Sequence, residues 1–221
     1  MLIKKDNLSS KGSEIYRNLR ELIAYGALNP GEKIIESKLV KDFGVSRTPI
    51  REAIRQLETR GFLTTIHNKG TYVKKVSREE LERIYDVMSV LEGYAVRLAV
   101  ENITDQQIGE LEELCNTMRE LTDLSRFKEH IEKNLKFHFV IAEASQNEFL
   151  EDLIRELRDR VYRYRFIGIT IPGHVEDYFS DHKSIVNAIK EKDPAKAEEI
   201  MRRHIQRGKQ ISVDYLKEFP A

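Results

Sequence analysis

Apolar residues recur at three- and four-residue intervals in residues 9–28, a spacing that places them on one face of a helix. Asn29-Pro30-Gly31 follows and is a turn signal that ends this predicted helix. The side chains predicted to line the apolar face are Ile15, Leu19, Leu22 and Ile23. The pattern therefore predicts an amphipathic first helix.

Two more helices and a hairpin are predicted before residue 76. A short helix is predicted at about 36–43, and Gly44 turns the chain into a third helix that begins after Ser46. After Gly61, the runs "FLTTI" and "TYVKKV" are rich in β-formers and flank a loop at 67–70, which is the pattern of a hairpin. The third helix is predicted to bury Ile50, Ala53, Ile54 and Leu57. Three helices followed by a hairpin predict a winged helix-turn-helix.

The remainder of the chain has the apolar spacing of helices throughout. Ser77 with Glu80 and the segment from Thr104 are predicted capping boxes, and Asp193-Pro194 is a cap followed by a first-turn proline. The clearest loop is predicted at 168–173. The predicted helices cover roughly 77–101, 104–122, 125–146, 148–167, 174–191 and 194–217.

These elements predict a mainly α protein, with an N-terminal winged helix-turn-helix in residues 1–76 joined to an all-α antiparallel helical bundle in residues 77–221. Charge follows nearly the same division. Residues 1–75 hold 15 Lys and Arg against 8 Asp and Glu, which leaves 22 basic and 29 acidic residues in the rest of the chain. An excess of cations in the first part indicates a polyanionic partner, such as nucleic acid.

Several classes of protein are excluded by the composition. No run of about 18 apolar residues occurs, so no membrane span is predicted. The segment MLIKKDNLSS lacks the apolar core of a signal peptide. The one cysteine, Cys115, excludes an internal disulfide and fits the reducing cytoplasm. Its helical spacing predicts a small core residue rather than a reactive thiol.

Cations are concentrated at the N-terminal end of the third helix, "VSRTPIREAIRQLE". Ser46 is the predicted N-cap, and Pro49 loses no hydrogen bond because first-turn N–H groups have no helical partner. Arg47, Thr48 and Arg51 lie at the end that a helix-turn-helix inserts into the major groove. Arginine can grip a guanine edge with two parallel hydrogen bonds. An ordinary surface helix with solvated arginines is the alternative interpretation.

The stretch "GALNPGEKIIESKLVKDFGVSRTPIREAIRQLETRGFLTTIHNKGTYV" resembles the DNA-binding domain of the GntR family of bacterial transcription regulators. The L-x-P-G turn, "VSRTPIREAIRQLE" and "GTYV" stand at the spacing of that family. The resemblance implies DNA contacts from Ser37, Ser46, Arg47, Thr48, Arg51, His67, Lys69 and Gly70. Many relatives carry arginine at the position of Ser37.

Polar side chains that can bind metals fall on apolar faces of three predicted helices. Asn134 and His138 lie one turn apart in "EHIEKNLKFHFVIAEAS", within or beside its apolar stripe. His182 shares a face with apolar residues in "DHKSIVNAIK", and His204 does so in the last helix. Buried polar groups require partners. The four side chains therefore predict either a hydrogen-bonded polar core or a metal centre in the bundle.

Residues 77–217 resemble the all-helical FCD ligand-binding domain that follows the winged helix in the FadR subfamily of GntR regulators. The segments "LEGYAVRLAV", "FHFVIAEASQNEFL" and "DHKSIVNAIKEKDPAKAEEIMRRHI" carry the likeness. Many members bind a metal through one Asp and three His. The resemblance implies a zinc, nickel or manganese site at Asn134, His138, His182 and His204, with asparagine in place of the aspartate.

The resemblance also implies an acidic effector, but one cation of the family pattern is missing. Relatives often carry arginine at the position of Met88, where it contacts the effector. Replacement cations are available in "RDRVYRYRF", although these can equally be solvated surface charges. They are Arg160, Arg163 and Arg165.

Together these features predict a cytoplasmic, non-enzymatic transcription regulator, expected to be a repressor. A homodimer would place two winged helices on a double-stranded operator with two-fold symmetry. An organic acid bound in the metal-containing bundle would alter the spacing of the two DNA-binding heads. A metal-dependent enzyme with a DNA-binding anchor is one alternative, although no HExxH-like motif supports it. A nonspecific architectural DNA binder is another.

Overall fold

Three helices and a small antiparallel sheet form the N-terminal part of the computed structural model. The model describes residues 10–24, 26–121, 126–170 and 174–218. The chain divides into an N-terminal unit, Met1–Lys75, and a C-terminal unit, Val76–Ala221. The N-terminal unit contains α1 (Ser10–Ala24), β1 (Lys33–Ile34), α2 (Glu36–Phe43), α3 (Arg47–Thr59), β2 (Leu63–Ile66) and β3 (Gly70–Val73).

The predicted winged helix-turn-helix is confirmed, with one strand more than expected. The sheet order is β1-β3-β2, and β3 is antiparallel to both neighbours. Lys33 pairs with Tyr72, and Leu63 pairs with Val73. The sequence did not predict β1, because two residues are too few to show an alternating pattern.

The core of the N-terminal unit is formed by the faces that the spacing predicted, with one correction. Its buried members are Ile15, Leu19, Ile23, Ile34, Leu39, Ile50, Ala53, Ile54, Leu57, Phe62, Leu63 and Val73. Leu22 was predicted to join them but is 38% exposed. The helix α1 also ends at Ala24 rather than near 28. Gly26 has a φ of 76°, a left-handed conformation that turns the chain out of the helix.

Six helices form the C-terminal unit, within the residues that the structure describes. They are α4 (Arg78–Asn102), α5 (Asp105–Glu120), α6 (Phe127–Ala144), α7 (Glu148–Thr170), α8 (His174–Lys190) and α9 (Pro194–Glu218). The predicted loop at 168–173 is partly wrong, because α7 continues to Thr170 and residues 171–173 lie outside the described part. A single glycine such as Gly168 costs a helix only about 1 kcal/mol, so it does not end one by itself.

The longest two helices, α4 and α9, pack antiparallel. Near one end Tyr85 and Ser212 are hydrogen-bonded at 3.0 Å, and near the other Arg97 contacts Glu198 at 3.3 Å. Between these points Gly93 lies so close to α9 that a Cβ there would be 2.7 Å from Cγ of Arg202. This glycine therefore permits the close approach of the two helices.

Local signals mark the first residues of α4, α5 and α9. Thr104 and Gln107 form the predicted reciprocal capping box, and Ser77 accepts a hydrogen bond from the Glu80 N–H. Asp193 accepts from the Lys196 N–H at 3.0 Å, as expected for a cap before Pro194.

The single cysteine behaves as a packing residue. Cys115 is half-buried against the core of the C-terminal unit, and burial raises the pKa of its thiol to about 12. No helix among the described residues is long and apolar enough to cross a membrane.

Candidate DNA interface and metal centre

The N-terminal end of α3 presents its polar side chains to solvent. Arg47 and Thr48 are both exposed, and Pro49 stands in the first turn. Ser46 occupies the N-cap position, but its side chain makes no capping hydrogen bond. The prediction that Ser46 is the N-cap residue is therefore confirmed, although its hydroxyl does not bond to the first turn.

Arg51 is not a free cation at this surface. Its Nε lies 2.9 Å from Oε2 of Glu36, at the start of α2, and the two side chains are 65% and 40% exposed. Ser37 is the next residue of α2 and is also exposed. Ser37 and the cations of α3 thus lie on two neighbouring helices. Glu36 is an acidic neighbour that the sequence prediction did not include.

The hairpin loop between β2 and β3 carries the predicted wing residues. Ile66 pairs with Gly70, so the loop itself is residues 67–69 and Gly70 belongs to the strand. Both His67 and Lys69 are exposed at this loop. Their side chains can therefore reach a partner that approaches the tip of the hairpin.

The shape of the wing depends on two left-handed residues and one tyrosine. Asn68 has a φ of 59° and Gly70 a φ of 112°, and only residues that tolerate positive φ suit these positions. The hydroxyl of Tyr72 donates to the carbonyl oxygen of Lys69 at 3.0 Å. This bond ties the loop to β3 and fixes the base of the Lys69 side chain.

Three histidines from separate helices converge inside the C-terminal unit. His138 on α6, His182 on α8 and His204 on α9 are all buried. One nitrogen from each ring lies within 4.8 Å of the other two. The centroids of the His182 and His204 rings are 4.4 Å apart, and those of His138 and His204 are 5.3 Å apart. Imidazole is a preferred ligand for zinc and nickel, so this cluster fits a divalent cation.

Asn134 lies one turn before His138 and reaches the same cluster. Its Nδ2 is 3.1 Å from Nε2 of His182. The two ends of an asparagine amide are interchangeable by rotation, so the same position can present Oδ1 to a cation. The structure therefore brings all four predicted metal ligands together.

Two charged residues beside the cluster were missed by the sequence prediction. Glu92 on α4 places Oε2 2.8 Å from Nδ1 of His138, and Arg158 on α7 pairs with the same carboxylate oxygen. A signal for Glu92 exists, since it follows the buried Met88 by one helical turn. The identity of its partner could not be read from the sequence, because Arg158 is 66 residues away.

A second carboxylate lies beside His204. Oδ2 of Asp181 is 3.7 Å from Nδ1 of His204 and 3.5 Å from the guanidinium of Arg207. Burial lowers the pKa of His204, and the contact with Asp181 opposes that shift only in part. The imidazole is therefore held neutral near pH 7, which is the form that binds a metal.

Of the three predicted replacement cations, only the side chain of Arg160 lies in the described part of the structure. Met88 is fully buried in the apolar core, and Arg160 forms an ion pair with Glu156 at 2.6 Å, one turn away on α7. The side chains of Arg163 and Arg165 lie outside the described part of the structure. Among the described residues, Arg158 is a buried cation beside the histidines.

A winged helix-turn-helix followed by an all-helical domain with a buried histidine cluster defines a two-domain regulator of transcription. Residues 11–73 match the model "Bacterial regulatory proteins, gntR family", and residues 83–207 match the model "FCD domain". The chain belongs to the GntR family of bacterial transcription regulators and carries an FCD domain.

Known relatives agree with this assignment over most of their length. The chain is 30% identical over 192 residues to the HTH-type transcriptional regulator YdhC of Bacillus subtilis, covering 86% of each chain. It is 29% identical over 185 residues to the HTH-type transcriptional regulator McbR of Escherichia coli, covering 81% of this chain and 82% of McbR. The solved structure of E. coli McbR/YncC matches with a TM-score of 0.82 at 26% identity, over 95% of this chain and 99% of that one.

Proposed function

We propose that this protein is a transcription repressor that reads a double-stranded operator and responds to a small organic acid bound beside a divalent metal ion. The observation that carries the proposal is the convergence of three buried histidines in the domain that follows the winged helix. Imidazole nitrogens are preferred ligands of zinc and nickel, and one nitrogen from each of the three rings lies within 4.8 Å of the other two, which is a ligand set that one ion can share.

The DNA interface is assigned to the exposed polar side chains of α2, α3 and the wing. Arg47 and Arg51 are the candidates for base contacts in the major groove. Lys69 is the candidate for a phosphate contact, since it projects from a loop whose backbone can approach a sugar–phosphate chain closely. The remaining candidates for contacts in this interface are Ser37, Ser46, Thr48, His67 and Gly70.

The metal centre is assigned to Asn134, His138, His182 and His204, with zinc, nickel or manganese as the ion. A bound ion would supply a Lewis-acidic point that attracts a carboxylate. The protein's own residues supply neutral ligands only, because asparagine stands where a charged aspartate would otherwise contribute. An anionic effector is therefore favoured, since its negative charge would offset the positive charge of the ion, which neutral ligands leave uncompensated.

The protein is proposed to form a homodimer whose interface consists of the exposed apolar side chains of α4 and α7. Val87, Val90 and Tyr94 recur on one side of α4, and each is 47% to 50% exposed. On α7, Phe149 is 86% and Leu153 51% exposed. Buried residues of α4 and α7 pack together in one cluster, so these groups lie on adjacent helices. Covering them with a second copy would remove apolar surface from water and match a two-fold operator.

Metal analysis tests the proposal most directly. Protein purified without a histidine tag or chelator is expected to contain about one equivalent of metal per chain, and added metal should raise its melting temperature by binding the folded state. Substoichiometric metal, with no stabilisation by zinc, nickel or manganese, would leave a hydrogen-bonded polar core as the better account.

A further inference from the structure

A lysine of β1 lies on the outer face of the small sheet, beside the wing. Lys33 is exposed and pairs with Tyr72 of β3, whereas the next residue, Ile34, is buried in the core. Successive side chains of a strand point to opposite faces, and residues directly opposite each other share a face. Lys33 and Tyr72 therefore lie together on the face turned away from the core. The sequence prediction of DNA contacts did not include Lys33.

The Lys33 side chain extends along this face toward the hairpin loop. A Cβ added to Gly70 would lie 2.9 Å from Cε of Lys33 and 3.5 Å from its Nζ. Gly70 directly follows the loop, whereas Lys33 has its own Cα opposite Tyr72, farther along β3. The ammonium group therefore lies at the loop end of the sheet, and the absent side chain of Gly70 leaves the space that the lysine stem occupies.

The Lys33 ammonium is held only loosely by the protein. Its Nζ lies 5.7 Å from the centroid of the Tyr72 ring. This separation is close to the limit of about 6 Å for an attraction between a cation and a ring, and such an attraction is weak at an exposed site. Among the described residues, neither Lys33 nor Lys69 forms an ion pair with a carboxylate. Both ammonium groups are thus available to an anion from outside the chain.

Tyr72 connects the two lysines. Its ring lies beneath the Lys33 ammonium, and its hydroxyl donates to the carbonyl oxygen of Lys69. One tyrosine thus touches the side chain of the first lysine and the backbone of the second. The two cations belong to one hydrogen-bonded hairpin edge, so they can approach a single sugar–phosphate chain together.

We propose that Lys33 is a second phosphate-binding residue of the wing, with Gly70 and Tyr72 as the residues that position it. The glycine admits the lysine stem, and the tyrosine ring supports the ammonium in the absence of DNA. The inference rests on the proposed phosphate contact of Lys69. The wing then holds the sugar–phosphate backbone at two points, and Lys33 adds affinity without adding a preference for any base sequence.

The salt dependence of DNA binding tests this role. Lys33→Gln keeps most of the stem and removes the charge, and thermal melts check that the variant is folded. Each neutralised phosphate contributes about 0.9 to the slope of the logarithm of the binding constant against the logarithm of the salt concentration. The slope should fall by about that amount, which corresponds to about five-fold weaker binding at 0.15 M salt. Lys33→Arg keeps the charge and should keep the slope.

Two duplexes and a matched lysine complete the titration. The losses should be equal on a duplex selected by the protein and on a shuffled duplex of the same composition, because a phosphate contact does not read sequence. The control is Lys75→Gln. Lys75 is exposed and also lies beside a glycine, since a Cβ at Gly31 would be 2.7 Å from its Cε. It follows β3 at the end away from the loop, so its substitution should alter the slope much less.

Phosphate ethylation interference locates the contact. Ethylation removes the charge of one phosphate, so it weakens binding only where the protein needs that charge. The Lys33→Gln variant should lose sensitivity at one phosphate position in each half-site, and Lys69→Ala should lose it at a different position. A general distortion of the wing would instead remove both sensitivities in either variant.

The outcomes separate this inference from the proposed function. Unchanged slopes in both Lys33→Gln and Lys69→Ala would overturn the wing assignment and this inference with it. A lower slope for Lys69→Ala, with an unchanged slope for folded Lys33→Gln, would overturn the inference alone. An equal loss in Lys75→Gln would also overturn it, because the effect would then be one of net charge. Loss of the same phosphate position in both wing variants would likewise count against a separate contact from Lys33.

Discussion

Replacing Glu36 by glutamine is expected to tighten DNA binding. The Glu36 carboxylate engages Nε of Arg51 at 2.9 Å, so the arginine must leave or share this contact when it meets DNA. Both side chains are well exposed, and ion pairs of this kind contribute about 0.2–1 kcal/mol. Freeing Arg51 should therefore lower Kd about 1.4- to 5-fold.

A double-mutant cycle measures whether the effect passes through Arg51. Arg51→Ala alone should weaken operator binding by about 1–3 kcal/mol if its contact to guanine is bidentate. In the Arg51→Ala background, Glu36→Gln should give less tightening than in the wild type, because no arginine remains to be released. The assay is fluorescence anisotropy on a duplex selected by the protein, at one fixed salt concentration.

Removal of the same charge elsewhere on α2 provides the control. Asp42 is an exposed acid near the other end of that helix, and Asp42→Asn alters the net charge by the same amount. Equal tightening by Asp42→Asn and Glu36→Gln would show a general charge effect. Undiminished tightening by Glu36→Gln in the Arg51→Ala background would refute the proposed release of Arg51.

Four further predictions test other parts of the molecule. Arg47→Ala should weaken specific operator binding by about 1–3 kcal/mol, and unchanged affinity in a folded variant would remove the base contact. Lys69→Ala should weaken binding to all sequences alike and reduce, by about one, the slope of the logarithm of the binding constant against the logarithm of the salt concentration. An altered base preference with an unchanged slope would contradict a phosphate contact. His182→Ala should lower metal content and abolish stabilisation by added metal, as elemental analysis and thermal melts would show. Burial lowers the pKa of both His130 and His204, so the unfolded chain takes up protons that the folded protein refuses as pH falls below about 6.5. Apo protein should therefore melt at a lower temperature at pH 5.5 than at pH 7.5. The same fall in melting temperature should be smaller in the His130→Leu, His204→Leu variant, and a larger fall in that variant would contradict this linkage.

The apolar spacing by itself determined the elements of both units, because helical periodicity is a local property of the chain. It predicted the amphipathic α3, the hairpin and the six later helices, and the cap at Thr104 is confirmed as a reciprocal box. The departures occur where local signals are short or ambiguous. β1 has two residues and forms only by pairing with β3, and α7 continues to Thr170, into the loop that was predicted at 168–173.

The sequence also determined which residue types could form a site, since Asn134, His138 and two later histidines fall on predicted apolar faces. Tertiary structure alone decided that these side chains meet and which charges surround them. Glu92 and Arg158 are brought together across 66 residues by the packing of α4 against α7. Arg51 likewise meets Glu36 only because α2 and α3 pack together. Such pairings depend on the crossing of helices, which periodicity along one helix does not encode.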